Sequence, residues 1–525
     1  MGKLLIVGID GADWEYVSQR LSAGHMPNLA ALAREGVFGP LESTRPPLSC
    51  PAWPTMTTGL NPGNLGLFDL TVPQGYGKRI VSARDVRAPR LWDYVGACGG
   101  RCVVFNVPVT YPPRRVNGVL VADFLSPKGA QFAWPAPVGQ ELAARFGYST
   151  APEHRKGRQA ALMRLRRDAF LHVLQREVWS VAMVVLSVTD WAQHDHWSDR
   201  RHIDRLFDEA DAVVGELARV TRAGNVVVLS DHGFCGARRI LNLNRLLHRM
   251  GFLSYGGGAG VAVYAPNRAL AAGAGGALRR ALGRAADPRV ALRLLHACRL
   301  ERALDLVPDG LWQWLKGNLR VWATPIEWAR TRAYLYNALP QTVNVNLAGR
   351  EPEGVVAAGD YQATLDELTA ALLAAADPLD GGRIVSDVWR REEVFAGRHV
   401  GNAPDLLLEV TGDRYLLSPA DHPEVVWETG RERGRHRATG IYCMRGPAFR
   451  PRGEGPRLRI VDMTPTLLAA VGCPPPSGID GRPVLSVLSA PASDAKEYRL
   501  SVPEMEAGEE DMAAVRKNLQ KLGYM

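Results

Sequence analysis

Short runs of apolar, mostly β-branched residues alternate along this chain with longer stretches in which apolar positions recur every three to four residues. Runs of the first kind read as strands buried on both faces, and stretches of the second kind as amphipathic helices laid against them. The spacing predicts strands over 4–8, 102–106, 182–187, 225–230, 405–410 and 440–444, and helices over 159–178 and 203–220. Strands alternating with helices in this way predict an α/β fold: a large, mostly parallel central sheet with helices on both faces.

The pattern changes over 268–320, which is rich in Ala, Arg, Leu and Gly, helical in period, and without an acid/His cluster. It reads as an inserted helical cap that continues through 334–387, where TVNVNLAGREPEGVV suggests a strand and a turn. The expected organisation is a discontinuous catalytic core over 1–240 and 400–490, a substrate-selecting cap over 241–399, and a charged tail helix over 491–525. A tail helix of that kind suits packing or dimerisation, so a homo-oligomer is one expectation. No internal repeat of fixed period is present.

Composition narrows the class. Of 525 residues, 46% are apolar and 22% charged, which excludes a disordered or collagen-like chain and leaves enough apolar surface for a large core. The formal net charge of +9 comes from Arg scattered through Ala- and Gly-rich text, with no basic run carrying interleaved aromatics, so no nucleic-acid partner is expected. The seven cysteines (50, 98, 102, 235, 298, 443 and 473) are odd in number and lack metal or redox spacing, which suits reduced thiols in a cytoplasmic protein. The apolar stretch at the N-terminus is too short for a signal peptide, and no run of about 18 apolar residues marks a membrane span.

Chemistry concentrates at strand ends. Asp10 follows KLLIVGI, Asp190 and His194 follow VAMVVLSVT, Asp231 and His232 follow NVVVLS, and His436 precedes the strand GIYCM. In an open α/β sheet, side chains just past the carboxyl ends of strands converge on one crevice although far apart in sequence. Three Asp and three His without Cys suit zinc or a similar divalent metal, and six donors are twice what one catalytic ion needs, so two ions are expected. Manganese and cobalt fit such ligands as well. Each residue also has a plainer role open to it: an Asp after a strand often caps a helix, and a single His is often a core or surface residue. The coincidence of all four placements carries the metal reading. His196 neighbours His194 but would face away from it on a helix.

A second feature is STRPPLSCPAWPTMTTGLNPGNLGLFDL over 43–70, where a Pro-, Ser- and Thr-rich loop turns into a helical run. Ser49 would sit at a helix N-terminus, where N–H groups and the helix dipole favour a phosphate or sulfate. Its hydroxyl could act as a nucleophile or simply as a cap.

The motifs GIDGAD, PPLSCPAWPTMTTGLNPGNLGLFD, VTDWAQHDHW, VLSDHGF and GRHRATGI, in this order, resemble the alkaline phosphatase superfamily, and most of all its type I phosphodiesterase/nucleotide pyrophosphatase branch. The run IVDMTPTLLAAVGCPPPSGIDGRPV resembles the closing segment of that family. The resemblance implies that Asp190, His194 and His436 hold one zinc, and that Asp10, Asp231 and His232 hold the other together with the nucleophile Ser49. It further implies a phosphoseryl intermediate, with the Cys50 backbone N–H donating to a non-bridging oxygen, and overall retention at phosphorus. Arg45 is the nearest candidate cation for substrate, unless it is only a solvated loop charge.

This chain departs from the family in three places. Most relatives in the branch carry Thr where Ser49 stands. Trp53 occupies the position where sulfatases carry the Arg needed for formylglycine formation, which argues against that chemistry. Leu70 stands where the branch carries an Asn that contacts phosphate, with Asp69 beside it, so nucleotide specificity is not inherited. The expected activity is metal-dependent hydrolysis of a small phosphodiester or pyrophosphate-type ester. A phosphomonoesterase or phosphomutase on the same site is the alternative, and a metal-binding scaffold without catalysis is a more distant one.

Overall fold

A computed structural model of the chain describes residues 2–256, 261–262, 322–323, 325–335, 341–418 and 423–502. These form two compact units, the first made of Met1–Gly236, Trp389–Leu407 and Gly434–Met525, the second of Ala237–Val388 and Leu408–Arg433.

The first unit is built on a ten-stranded mixed sheet. Along its main path the strands run in the order Gly453–Glu454, Val37–Glu42, Thr439–Arg445, Asn225–Leu229, Leu4–Ile9, Val181–Leu186, Cys102–Phe105, Gly118–Val121 and Ala133–Trp134. The five strands from Asn225–Leu229 to Gly118–Val121 are parallel, while Thr439–Arg445 and Ala133–Trp134 run antiparallel to their neighbours. Every residue of LLIVGI, VAMVVL and NVVVL is buried, as parallel strands covered on both faces require.

Side chains alternate across a sheet, and the two faces take different helices. Leu4, Ile6, Met183, Val185, Val227 and Leu229 share a core with Trp53, Met56, Trp92 and Leu467, which belong to the helices Ser49–Thr58, Leu91–Ala97 and Met463–Ala470. On the other side, the long helices Lys156–Arg176 and Arg200–Thr221 bury Phe170, Phe207 and Val214. The expected α/β architecture with helices on both faces is therefore the one observed.

Within the second unit, Thr342–Val345 is a strand followed by a turn, as TVNVN suggested, and the helix Tyr361–Ala374 follows it. One strand expectation needs correction: Leu406–Val410 does not join the large sheet but lies in a separate four-stranded one with Ala333–Tyr334, Thr342–Val345 and Val385–Arg390. An apolar run reports burial, not which sheet buries it. The helical cap expected over 268–320 lies outside the described residues. Residues 491–502 carry no helix, in contrast to the expected tail: Lys496 bridges to Pro476, and Tyr498 packs edge-on against Tyr94 and donates to the Pro474 carbonyl at 2.8 Å. The remainder of that tail, 503–525, is outside the described residues. No described helix is long and apolar enough to cross a membrane.

Gly8 fixes how closely the helix Ser49–Thr58 approaches the sheet. A Cβ at this position would lie 2.4 Å from Trp53 Cη2 and 3.0 Å from Val185 Cγ2, and Trp53 is fully buried. Gly8→Ala is expected to cost about 1–3 kcal/mol through overpacking. The check is chemical denaturation of the two proteins side by side, and an unchanged midpoint would contradict this account of the packing.

Candidate metal centre and nucleophile

The three central strands Leu4–Ile9, Val181–Leu186 and Asn225–Leu229 pair in parallel with Ile9 opposite Leu186 and Gly8 opposite Leu229. Their carboxyl ends therefore finish level, and the residues that follow emerge side by side. Asp10 leaves the first strand directly. Asp190 and His194 lie in the helix Val188–His196 that follows the second, one turn apart, with His194 Nε2 3.5 Å from Asp190 Oδ1. Asp231 and His232 follow the third. His436 comes from the end of the strand Val426–Arg437, just before Thr439–Arg445.

All six converge. His436 Nε2 lies 3.3 Å from Asp190 Oδ1 and 2.8 Å from His194 Nε2. His232 Nε2 lies 3.2 Å from Asp231 Oδ2, 3.7 Å from Asp10 Oδ1 and 4.0 Å from Asp190 Oδ1. Two groups have ligand atoms within 4.8 Å of one another: Asp190, His194 and His436, and Asp10, Asp190 and His232. Asp190 thus stands between the two groups, a sharing that the sequence did not suggest.

The protonation pattern fits cations. His436 Nδ1 is 2.9 Å from the Pro47 carbonyl and His232 Nδ1 is 3.1 Å from the Gly233 carbonyl. A carbonyl only accepts, so each Nδ1 carries the proton and each Nε2 presents a lone pair to the site. Burial, and after it the charge of His436, holds His232 well below its ordinary pKa and keeps it neutral, the ligand form.

The carboxylates answer this pattern. Burial, then the charges of Asp231 and Asp190, push Asp10 well above the usual carboxylate range. Burial and the charge of Asp190 raise Asp231 to about 7. Asp190 runs the other way: burial alone would raise it, but His194 and His436 beside it carry it well below its ordinary value. Among the described residues, the ion-pair partner of both Asp10 and Asp231 is an imidazole, with no Lys or Arg. Carboxylates held in this way suit a divalent cation.

Ser49 opens the helix Ser49–Thr58, with Leu48 as an extended N-cap that makes no side-chain cap bond. Its Oγ lies 3.1 Å from His232 Nε2 and 3.5 Å from Asp10 Oδ1. The first amide of this helix to find a backbone carbonyl is that of Ala52, bonded to Leu48 at 2.9 Å, and Pro51 has no N–H. The Cys50 amide therefore remains to serve a ligand at the helix head. Burial, followed by the charges of Asp123 and Asp69, raises the Cys50 thiol well above its ordinary pKa, which leaves it inert.

The remaining expected residues lie outside these groups. Arg45 is exposed, and its guanidinium carbon sits 4.2 Å from the Trp389 ring centroid. His196 is buried with Nε2 3.0 Å from the His154 carbonyl, turned away from the metal groups. Leu70 is buried, and the Asp69 carboxylate accepts from Leu70 N at 2.6 Å and Thr71 Oγ1 at 3.1 Å.

Several supporting contacts were not singled out from the sequence. Thr189 Oγ1 donates to the Asp10 carbonyl at 2.7 Å, Gln193 Nε2 to the Gly11 carbonyl at 2.9 Å, and Phe234 packs edge-on against His194 and His436. Thr189 and Gln193 share a helix with Asp190 and His194, and Phe234 follows His232 by two residues. That proximity was the one signal available.

The fold resembles solved structures at low identity. Phosphonoacetate hydrolase from Sinorhizobium meliloti 1021, in complex with phosphonoformate, is 15% identical with a TM-score of 0.56, over 90% of this chain and 95% of that one. Murine ectonucleotide pyrophosphatase/phosphodiesterase 5, as an inactive variant in complex with AMP, is 12% identical with a TM-score of 0.51, over 93% of this chain and 100% of that one. At such identities the likeness is one of fold. No curated protein matches the chain. The family model for type I phosphodiesterase / nucleotide pyrophosphatase matches residues 4–438, so this chain belongs to that family of phosphoric ester hydrolases.

Proposed function

We propose that the chain cleaves a small phosphodiester or pyrophosphate-type ester, with Ser49 as nucleophile and a phosphoseryl enzyme between two in-line displacements. The observation that best supports this is Ser49 Oγ at the head of its helix, within 3.1 Å of His232 Nε2 and 3.5 Å of Asp10 Oδ1. We assign Asp190, His194 and His436 to one divalent ion, and Asp10, Asp231, His232 and Ser49 to a second, with zinc the first expectation and manganese compatible. When bound, the pair would supply the positive charge that lowers the serine pKa and offsets charge on the transferring phosphoryl group.

Ser49 Oγ attacks phosphorus, the bond to the leaving oxygen breaks, and the leaving group departs with the electron pair. Water then attacks the phosphoserine, releasing the acid product and restoring the hydroxyl. The Cys50 N–H donates to a non-bridging oxygen, which gains charge as the transition state is reached. Arg45 takes an outer role toward the remaining charge of the substrate. A diester spreads one negative charge over two non-bridging oxygens, whereas a monoester dianion calls for another cation beside the nucleophile. Arg45 is stacked on Trp389 instead, which favours the diester. Cys50, Cys98, Cys102, Cys443 and Cys473 form no disulfide among the described residues, in keeping with the proposed reducing, cytoplasmic setting.

Ser49→Ala, compared with the native chain at matched metal content by elemental analysis, is expected to lower kcat on bis-p-nitrophenyl phosphate by at least about a thousandfold. Substantial residual turnover would remove Ser49 from the nucleophile role. Chelation should abolish activity, and re-addition of zinc or manganese one at a time should restore it, which identifies the working ion; activity that survives full metal removal would sink the metal reading. On matched substrates, kcat/KM for bis-p-nitrophenyl phosphate should exceed that for p-nitrophenyl phosphate, and the reverse order would make the enzyme a monoesterase.

A further inference from the structure

A half-open pocket of about 210 Å³ lies in the first unit, lined by none of the residues assigned to the metal centre. Four separate segments form its wall, and its cations are concentrated on Arg87, Arg398 and Arg79, with His399 beside them. Its one carboxylate, Asp85, is already matched: Arg79 donates to both oxygens at 2.6 and 2.9 Å, and the Ser82 amide adds a third bond at 2.8 Å. Arg87 and Arg398, in contrast, are exposed and have no carboxylate partner among the described residues. Two uncompensated guanidiniums on one small concavity repel each other, a cost that a bound anion would reverse.

The wall between them is fixed. His399 is tied by its amide to the Gly63 carbonyl at 2.9 Å, and its side chain packs against Gly66, where a Cβ would lie 3.2 Å from His399 Cγ. Gly66 also has a φ of +75°, so both its backbone and its contact require glycine. Burial, and after it the charges of Arg398 and Arg87, lower the His399 pKa, which places both guanidiniums within electrostatic reach of one imidazole. Asn402, exposed on the same wall, adds an amide.

We propose that this pocket is an anion site, separate from the metal centre, that takes a phosphate-type dianion, either free or as the headgroup of a monoester. The ligand class follows from charge and size. Planar guanidinium forks match tetrahedral oxyanions, and the volume falls below the roughly 300 Å³ at which pockets for drug-sized ligands begin, which suits a single phosphate-sized group better than enclosure of a whole nucleotide. The proposal does not depend on the hydrolytic reading and stands or falls separately from it.

The test is calorimetric titration of the holoenzyme with inorganic phosphate and with methylphosphonate as a monoester mimic, comparing the native chain with Arg87→Ser/Arg398→Ser and with the charge-retaining Arg87→Lys/Arg398→Lys. The native chain should show a binding component that the serine pair weakens by about tenfold or more, and the lysine pair, which keeps the charge but not the planar fork, should weaken it less than the serine pair does. The thermal midpoint and the inhibition of hydrolysis by phosphate should stay the same in all three. Crystals soaked in tungstate should show anomalous density between Arg87 and Arg398 that the serine pair loses while any density at Ser49 remains. Whichever of phosphate and methylphosphonate binds more tightly identifies the form of the ligand. An isotherm unchanged by the serine pair, or no density between the two arginines, overturns the proposal.

Discussion

Three carboxylates, Asp10, Asp190 and Asp231, are almost wholly buried at the carboxyl edge of one parallel sheet, and among the described residues their ion-pair partners include the imidazoles of His232, His194 and His436. Isolated anions in such a place are costly, because the surroundings cannot replace the water they lose. Their pKa pattern records the tension: two are driven upward by burial and mutual repulsion, and the one flanked by His194 and His436 is driven down. An arrangement of this kind is stable when positive charge is supplied from outside the chain. The level ends of Leu4–Ile9, Val181–Leu186 and Asn225–Leu229 make it possible, since parallel pairing in this register brings residues more than two hundred positions apart to neighbouring points.

Ser49, the proposed nucleophile, is placed by packing as much as by the acids. Trp53, one turn along the helix Ser49–Thr58, rests on the strand at Gly8, and the absence of a side chain there sets how far the head of the helix reaches toward Asp10. The loop before that helix serves the site too, because the Pro47 carbonyl accepts from His436 Nδ1–H and so decides which nitrogen faces inward. One short segment thereby carries a hydroxyl, an amide and the orientation of a distant imidazole. Trp53 at the position where formylglycine chemistry would need Arg is accordingly a core residue.

Much of this was legible in the sequence because it depends on local pattern. Buried parallel strands read as continuous apolar runs, and an acid or histidine just beyond such a run stands out, so the converging six could be named from strand ends alone. What could not be read depends on distance. The position of Asp190 between two ligand groups, the Pro47 and Gly233 carbonyls behind the imidazoles, and the placement of Leu406–Val410 in a smaller sheet all follow from tertiary contacts that leave no periodic trace. The same holds for Arg87 and Arg398. In a chain with arginine spread throughout, two that share a concavity look like any others until the segments bearing them meet at His399.

At Leu70 and Asp69 this chain departs from the pattern it otherwise resembles. The Leu70 side chain is buried and offers no polar atom, while the oxygens of Asp69 accept from Leu70 N and Thr71 Oγ1. Neither side chain is therefore arranged to grip a transferring phosphoryl group. In the proposed reaction that work falls to the cations and to the amide at the head of the Ser49 helix, which recognise phosphorus–oxygen geometry and not the alcohol attached to it. A site of this kind would discriminate weakly at phosphorus, so selectivity for one ester over another must come from contacts made farther out along the substrate.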